Sequence, residues 1–434
     1  MRLTWITRSD LLLLRAELQN QLQQIGPCDI LVGIPSYNNA KTIGHVVRAV
    51  SAGLAKYFPE AKSVLVNSDG GSLDGTPQAL ADAGVDLQSI FIPHRVNPLN
   101  KISTPYHGIP GKGSAFKLIF EIAQMLQVKA CAVVDADLRS ITPEWIELLL
   151  RPILKEKYDY VTPYYHRHKY DGTITNHIVY PLTRALYGKR LRQPIGGEFG
   201  FAGDLANYFL TKDVWGTDVA RFGIDIWMTT TAIARDAKVC QAYLGAKIHD
   251  PKDPGADLSA MLAQVVGSVF SLMEENERLW KTIVASEPVS IFGFQYEVGL
   301  EPVPVGIDRM LKAFELGLKE FLPLWEGVLP QEVLAELKSM CPVTPAVKFA
   351  DDLWVRVIYG LAIAAHRKAM TWEHLLRSFT PLYLGRVASF VLETQELSHG
   401  AVETKIEELC KVFEHQKPYL IQQWDHSSTQ GGVS

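Results

Sequence analysis

The chain has 434 residues, of which 47% are hydrophobic and 21% are charged, so it carries ample material for a core and no compositional sign of disorder. A formal net charge of −4 argues against the broad basic surface on which nucleic-acid binding depends. The five cysteines form no CxxC pair, which argues against a zinc knuckle or a disulfide framework and favours a reducing compartment.

The N-terminal region has one short apolar run, at residues 11–14. This run is too short for the core of a signal peptide or for a membrane span. We therefore expect a cytoplasmic protein without a membrane-spanning helix.

The first half of the chain alternates between two kinds of segment. A Leu-rich stretch that begins with capping residues predicts a leading helix at residues 9–24. Apolar runs bounded by turn signals predict buried strands at residues 29–34, 63–66 and 130–134, with helices at about residues 42–56, 75–83 and 113–127. This alternation predicts an α/β domain with a parallel sheet, which we place at residues 1–280.

The second half has a different pattern. Residues 281–306 are rich in Pro and Gly and lack a clear period, so we interpret them as a connector. Helical periodicity follows over residues 307–424, with segments near residues 307–321, 330–340, 350–367, 371–394 and 401–416. We expect a helical C-terminal domain there, with residues 425–434 as a polar, frayed tail.

Ligands of a parallel α/β sheet bind beyond the carboxyl ends of its strands. Polar segments follow the three predicted strands, at residues 36–39, 67–76 and 135–139. We therefore expect these segments to meet at one edge of the sheet and to carry the chemistry.

Asp135 and Asp137 follow the third predicted strand with one small residue between them. Two carboxylates in this position can converge on a hard divalent cation such as Mg²⁺ or Mn²⁺, which is completed by diphosphate oxygens of a substrate. The alternative is that a strand-end aspartate caps the next helix.

The segment at residues 68–76 supplies glycines for positive-φ turns, and Asp69 and Asp74 as acceptors. These carboxylates suit the hydroxyls of a ribose, although an Asx turn that caps the next helix explains them equally well. We expect this loop to lie beside residues 35–39.

Lys112 stands in a Gly/Pro-rich segment that opens a helix. The segment is not a Walker loop, because Gly113 rather than Ser or Thr follows the lysine. A lysine at a helix N-terminus suits a diphosphate, and an exposed surface lysine is the alternative.

Three further motifs occur later in the predicted α/β domain. Paired glycines before Glu198 indicate a backbone packed tightly against a sugar ring or another strand. Asp225 begins an apolar helix as a functional carboxylate or a cap, and His249 is a metal-ligand type or a plain polar residue.

These motifs, in this order, resemble those of the GT-A glycosyltransferases, and within them the mannosylglycerate synthase and glucosyl-3-phosphoglycerate synthase group. The matching segments are Pro-Gly-Lys-Gly at 110–113, Asp-Ala-Asp at 135–137, Pro-Ile-Gly-Gly-Glu at 194–198, Gly-Ile-Asp at 223–225 and His249. The resemblance continues into the helical region at residues 349–354 and 372–376, so it covers nearly the whole chain.

The resemblance implies a GT-A domain with a mixed, mostly parallel sheet, followed by a C-terminal helical domain. It also implies metal-dependent retaining transfer of glucose or mannose from a nucleoside diphosphate sugar to D-glycerate or 3-phosphoglycerate, giving a compatible solute. The implied roles are Asp137 and His249 as metal ligands, Asp135 at the metal or the ribose, Lys112 at the diphosphate, Pro35, Tyr37, Asn39 and Asp69 at the nucleoside, and Gly196 and Gly197 along the donor sugar. Asp225, Glu198 and the backbone carbonyl of Ile195 are implied at the reaction centre.

The acceptor segment is implied to be residues 167–175, with Arg167, Thr173 and Thr175 as its binding residues. Arg167 can pair bidentately with a carboxylate. Phosphoglycerate-using relatives carry Gly-Gly-Arg-Val-Thr where this chain has Asp-Gly-Thr-Ile-Thr at 171–175, so a phosphate loses a cationic partner. This difference favours glycerate, unless Lys169 or His168 replaces the arginine.

Other readings stay open. The loop at residues 68–76 also looks like that of an inverting family 2 glycosyltransferase, and a nucleotidyltransferase shares the sheet and the acidic metal ligands. From a different class, the chain could be a non-catalytic nucleotide-sugar sensor. The amphipathic C-terminal helices are typical of core packing or of a homo-oligomer contact, and we expect a homo-oligomer.

Overall fold

The structure is a computed structural model that describes residues 8–83, 99–106, 110–248, 259–295, 299–300, 302–341, 343 and 347–430. Its elements up to the eighth strand are α1 Arg8–Ile25, β1 Ile30–Ser36, α2 Ile43–Tyr57, β2 Ser63–Asp69, α3 Thr76–Asp82, β3 Asn100–Pro105, α4 Lys112–Met125, β4 Ala130–Val133, α5 Pro143–Glu156, β5 Tyr160–His166, α6 Tyr180–Tyr187, β6 Lys189–Arg190, β7 Phe199–Ala202, α7 Gly203–Leu210, α8 Ile224–Ala234 and β8 Val239–Ala246. A π-helical segment at Thr175–Val179 precedes α6, and a 3-10 turn at Asp218–Ala220 precedes α8.

The remaining elements are mostly helical. They are α9 Ser259–Glu275, α10 Glu277–Thr282, β9 Glu287–Pro288, β10 Ile291–Phe292, α11 Ile307–Glu320, α12 Leu322–Trp325, α13 Gln331–Ser339, α14 Asp351–His366, α15 Trp372–Thr394 and α16 His399–Gln430. The five predicted C-terminal helices are confirmed as α11, α13, α14, α15 and α16. The last of these continues to Gln430, so residues 425–430, predicted as part of a frayed tail, are helical.

Eight strands form one sheet in the order β10-β8-β5-β7-β4-β1-β2-β3, and β6 pairs with β9 separately. β1 is parallel to both β2 and β4, and β2 is parallel to β3, whereas β7 is antiparallel to β4 and β5. The predicted mixed, mostly parallel α/β sheet is therefore confirmed. β1 is apolar because both its faces are covered: Ile30, Leu31 and Val32 are each 0% exposed.

The chain divides into two compact units that interleave along the sequence. Unit 1 comprises Met1–Thr162, Gly197–Arg221 and Lys238–Ala242, and unit 2 comprises Pro163–Gly196, Phe222–Ala237 and Tyr243–Ser434. This division does not follow the predicted boundaries at residues 280 and 306, because segments of the first 280 residues belong to each unit.

Two chemical expectations can be compared with the structure directly. The five cysteines are free, and four of them are buried. Among the described helices, none combines the length and apolar character needed to cross a membrane.

Candidate active site

Two loops of unit 1 lie side by side at the carboxyl ends of β1 and β2. The Asn38 amide donates to Ser72 Oγ at 2.8 Å, and the Asn38 side chain accepts from the Leu73 amide at 3.0 Å. The Ala40 amide donates to Asp74 Oδ2 at 2.9 Å. The adjacency predicted from strand order is therefore present, because parallel strands deliver both loops to the same sheet edge.

Asp69 organises the second loop. Its Oδ2 accepts from the amides of Gly71 and Ser72 at 2.9 and 2.8 Å, and its Oδ1 accepts from the hydroxyls of Ser72 and Ser36 at 2.7 and 2.8 Å. A carboxylate offers about four acceptor positions, so these bonds occupy its capacity. Asp69 therefore holds the backbone of this loop in place. Ser36, the first residue of the polar segment predicted at residues 36–39, orients it from the end of β1.

The remaining predicted nucleoside residues lie in the first loop. Tyr37 is 63% exposed, and its amide donates to Asn39 Oδ1 at 2.8 Å. Pro35 and Asn39 are half-buried. Hydrogen bonds from Thr76 and from the Ala40 amide lower the pKa of Asp74, which keeps this carboxylate ionised as the link between the loops. The ring of Tyr37 is thus the exposed aromatic group of this loop.

Lys112, Asp135 and Glu198 come together beyond β4. Lys112 Nζ lies 2.8 Å from Asp135 Oδ1, with both side chains mostly buried at 17% and 22% exposure. The Asp135 amide donates to Glu198 Oε1 at 3.4 Å. Glu198 is 0% exposed and immediately precedes β7, whose first residue pairs with Val133 of β4. The antiparallel pairing thus brings the Gly-Gly-Glu motif beside the Asp-Ala-Asp motif.

The two aspartates of the Asp-Ala-Asp motif have different surroundings. Asp135 forms the ion pair with Lys112, whereas Asp137 is half-buried and has no side-chain hydrogen bond or ion pair within the described part of the chain. The residue between them is fixed, because Thr42 Oγ1 donates to the Ala136 carbonyl at 2.7 Å. Asp137 is therefore the carboxylate with open coordination capacity. Thr42, at the start of α2, was missed by sequence reasoning.

The glycines around Lys112 are required by packing. A Cβ on Gly113 would lie 1.9 Å from the Val219 carbonyl oxygen, and one on Gly111 would lie 2.5 Å from that of Ala220. The Gly113 amide also donates to the Arg221 carbonyl at 3.2 Å. Because these glycines have no side chains, the backbone of the 3-10 turn packs directly against the N-terminus of α4. This packing fixes the position of Lys112, the first residue of that helix.

In unit 2, the predicted acceptor residues Arg167 and Thr175 cluster around Gly172. A Cβ at Gly172 would lie 3.1 Å from Arg167 Nη1 and 3.8 Å from Thr175 Oγ1. Arg167 Nη1 lies 3.7 Å from Asp171 Oδ2, and Arg167 Nε is a buried donor without a hydrogen-bond acceptor in the described residues. Thr175 begins the π-helical segment, a conformation frequent at functional sites.

Three other polar residues of this segment, Thr173, Lys169 and His168, differ in their surroundings. Thr173 is 3% exposed, and its hydroxyl lies 2.6 Å from the Tyr383 hydroxyl, so the structure places it in the core against α15. Lys169 Nζ donates to the carbonyls of Thr394, Gln395 and Leu397 at 2.7, 2.7 and 3.1 Å. All three donors of this ammonium therefore serve the C-terminal end of α15. Burial, together with the charge of Lys169, lowers the pKa of His168, so this imidazole is neutral at pH 7.

Ile195 and Asp225 are the predicted catalytic residues of unit 2. Ile195 is half-buried in a turn that is held on both sides: Thr229 Oγ1 donates to the Pro194 carbonyl at 2.7 Å, and Lys247 Nζ donates to the Gly196 carbonyl at 2.9 Å. Asp225 is 8% exposed in the first turn of α8, where a carboxylate is stabilised by the helix dipole. Sequence reasoning missed Thr229, although it lies one turn after Asp225 on the same helix face.

Two of the three predicted metal ligands, Asp135 and Asp137, lie among the described residues. His249, the predicted histidine ligand, lies outside the described residues. Within the described ranges, no group of three or more His, Cys, Asp or Glu side chains could hold a metal ion. The donors present are the carboxylates of Asp135 and Asp137, and oxygen donors of this type suit Mg²⁺ or Mn²⁺.

Gly197, also predicted along the donor sugar, has φ +95° and links Gly196 to Glu198.

No protein-family model matches the chain, and no curated protein matches it. Solved structures of glucosyl-3-phosphoglycerate synthase from Mycobacterium tuberculosis are similar to it. The complex with Mn²⁺, UDP and glucosyl-3-phosphoglycerate aligns at 22% identity and a TM-score of 0.42, over 63% of this chain and 85% of that chain. The complex with Mn²⁺, UDP-glucose and phosphoglyceric acid aligns at 21% identity and a TM-score of 0.42, over 63% and 86%. The complex with Mg²⁺ and UDP gives 21% and 0.42, over 58% and 83%. These enzymes belong to the group that the sequence motifs resemble. Similarity at this level carries no functional argument, so the function is inferred from the chain's own residues.

Proposed function

We propose that the chain is a metal-dependent retaining glycosyltransferase that moves glucose or mannose from a nucleoside diphosphate sugar to a small acceptor with a single carboxylate, such as D-glycerate. The observation that carries the proposal is the group formed by Lys112, Asp135 and Glu198, with Asp137 next to it. A cation at a helix N-terminus beside two strand-end carboxylates is an arrangement suited to a diphosphate and a divalent metal.

Lys112 would stabilise the leaving nucleoside diphosphate. Negative charge builds on the diphosphate as the sugar departs, and a positioned ammonium at a helix N-terminus opposes it without reorganisation. The ion pair with Asp135 holds the lysine in place before the donor arrives. The two joined loops at residues 36–40 and 69–76 would receive the nucleoside, with Tyr37 as the stacking ring.

Asp137, together with Asp135 and His249, would hold Mg²⁺ or Mn²⁺. When bound, this ion would supply Lewis-acid stabilisation of the diphosphate oxygens. The donor chemistry fits, because Mg²⁺ is usually held by one or two carboxylates plus substrate phosphates rather than by a complete protein cage.

Arg167 and Thr175 would bind the carboxylate of the acceptor. Arg167 presents a guanidinium fork, and its buried Nε lacks an acceptor among the described residues. The two residues that could have replaced the missing arginine for a phosphate are otherwise engaged: Lys169 caps α15, and His168 is neutral at pH 7. We therefore favour an unphosphorylated acceptor.

The acceptor hydroxyl would attack from the face that the diphosphate leaves, and the sequence resemblance assigns roles at this step to the Ile195 carbonyl, Glu198 and Asp225. Retention of configuration rests on the sequence resemblance. The product would be a glycosylglycerate that serves as a compatible solute in the cytoplasm. We also propose that the chain forms a homo-oligomer.

The test is release of nucleoside diphosphate from GDP-, UDP- and ADP-linked glucose and mannose with Mg²⁺ or Mn²⁺, each donor being offered D-glycerate and 3-phosphoglycerate. We expect turnover with D-glycerate and an α-linked product from an α-linked donor. Turnover with phosphoglycerate alone would refute the acceptor assignment, and an inverted product would refute the retaining mechanism. Nucleotide-sugar binding with no turnover for any acceptor would favour the sensor alternative.

A further inference from the structure

The segment that carries Ile195 is anchored by three elements of unit 2. Gln193 Oε1 accepts from the Tyr165 amide of β5 at 2.7 Å, which holds the start of the segment. The Pro194 carbonyl accepts from Thr229 of α8 at 2.7 Å. The Gly196 carbonyl accepts from Lys247 at 2.9 Å, just after β8. The backbone on either side of Ile195 is thus held by two side chains.

This anchoring restrains the position of the Ile195 carbonyl. A peptide unit is planar, so the Ile195 carbonyl lies in the plane between residues 195 and 196. The carbonyls of the preceding and following planes are the ones bound by Thr229 and Lys247. With both neighbouring planes held, the Cα atoms of Ile195 and Gly196 stay in place, and the plane between them can turn only about the line that joins these two atoms.

Packing limits the movement of the segment further. Gly196 lies against Pro163, because a Cβ at position 196 would be 2.1 Å from Pro163 Cγ. Thr229 is 1% exposed, and its β-branched side chain has few rotamers, so its hydroxyl is a fixed donor. Lys247 Nζ lies 5.5 Å from the centroid of the Tyr165 ring, which steadies the ammonium from a second side.

We propose that Thr229 and Lys247 are positioning residues that hold the Ile195 carbonyl at the reaction centre, an inference that rests on the proposed glycosyl transfer. Neither residue needs to touch a substrate for this role. Their effect falls on the rate of the chemical step, because a misplacement of about 1 Å at a reacting group can cost about 100-fold in rate.

The decisive substitution is Thr229→Val, which keeps the shape of the side chain and removes the donor. We expect kcat for transfer to D-glycerate to fall at least about tenfold, with the KM values and the donor Kd unchanged. Thr229→Ser restores the hydroxyl and should recover most of kcat. Thr230→Val is the matched control, because Thr230 is also 1% exposed and is the next residue of the same helix.

Lys247→Met provides the second arm. The methionine keeps the packing of the stem without the ammonium, and we expect a lower kcat there as well. Hydrogen exchange at the amides of residues 195–197 supplies a readout independent of activity: exchange should be faster in Thr229→Val and Lys247→Met than in Thr230→Val.

The outcomes separate the inference from the proposed function. An active wild type in which Thr229→Val matches Thr230→Val in kcat would overturn the positioning role. If Thr229→Val does not fold, Thr229→Ser and Lys247→Met decide, and a wild-type kcat in Lys247→Met refutes the inference. If the wild type turns over no donor, the proposed glycosyltransferase function is refuted, and the catalytic part of this inference is refuted with it. If hydrogen exchange is unchanged in the variants, only the anchoring is refuted.

Discussion

Gly113→Ala should destabilise unit 1 although it adds only one methyl group. The new Cβ would lie 1.9 Å from the Val219 carbonyl oxygen and 2.7 Å from Ala220 Cα, and contacts below 3.0 Å essentially do not occur. The obstructing atoms are backbone, so no side chain can rotate away. Either the N-terminus of α4 or the 3-10 turn must move by about 1 Å or more.

The cost can be estimated from the contacts that are lost. Overpacking in a closely packed region costs about 1–3 kcal/mol, and the upper end applies where both partners are backbone. The hydrogen bond from the Gly113 amide to the Arg221 carbonyl, 3.2 Å long, would be stretched or broken at a further cost of about 1 kcal/mol. We expect a loss of about 3–4 kcal/mol, which corresponds to a fall of about 6–16 °C in Tm for a unit of this size.

Thermal and urea unfolding of the two variants Gly113→Ala and Gly44→Ala would test this estimate. Gly44 is the control, because a Cβ there would meet Arg48, Ala79 and Ala83 at 3.4–3.6 Å, which are ordinary contacts, so its replacement should be neutral or slightly stabilising. Equal Tm values for Gly113→Ala and wild type would refute the reasoning. The motif glycine would then have to be explained by a ligand.

Three further outcomes are expected. Asp137→Asn should abolish metal-dependent release of nucleoside diphosphate without a change in Tm. The control Asp213→Asn, at an exposed position, should keep this activity, and full activity of Asp137→Asn would refute the metal assignment. Arg167→Lys should raise KM for D-glycerate about tenfold or more while donor affinity stays constant, because the bidentate fork is lost; an unchanged KM would place the carboxylate elsewhere. Burial lowers the pKa of Lys417 to about 8, so between pH 8 and its ordinary value of about 10.4 the unfolded chain binds more protons and the free energy of unfolding rises with pH. Lys417→Met should lack this rise in urea unfolding, and parallel pH profiles for variant and wild type would contradict the assignment.

The central strands could be predicted from sequence because burial on both faces leaves a continuous apolar run. β1, β2 and β4 are of this kind. The edge strand β3 could not, since Ile102 is its one buried residue and the others are polar or partly exposed. β7 was also missed, because its four residues were interpreted as part of a tight-packing glycine motif.

The end of α16 illustrates a different limit. The helical pattern predicts a segment near residues 401–416, yet the helix continues past Pro418 to Gln430. Leu420 and Trp424 are four residues apart on one face, and they are 0% and 1% exposed. The burial of these two side chains stabilises the helix past the proline. Two apolar residues in a polar segment are too few to give a clear helical period in the sequence.

The candidate site could be predicted where chemistry depends on position along the sheet, and not where it depends on partners distant in sequence. Strand ends bring the two loops together, as the alternation of strands and helices implied, and the structure also places Asp135 beside Lys112. Nothing near Lys169 in the sequence reveals that carbonyls at the end of α15, about 225 residues away, accept all its hydrogen bonds. The segment at residues 167–175 thus carries three basic side chains, and of these only Arg167 has a positive charge available for an acceptor. The Nη1 atom of Arg167 lies 3.7 Å from Asp171 Oδ2. An acceptor with both a carboxylate and a phosphate would therefore leave one anion without a cation in this segment, which is the physical reason to expect discrimination against phosphoglycerate.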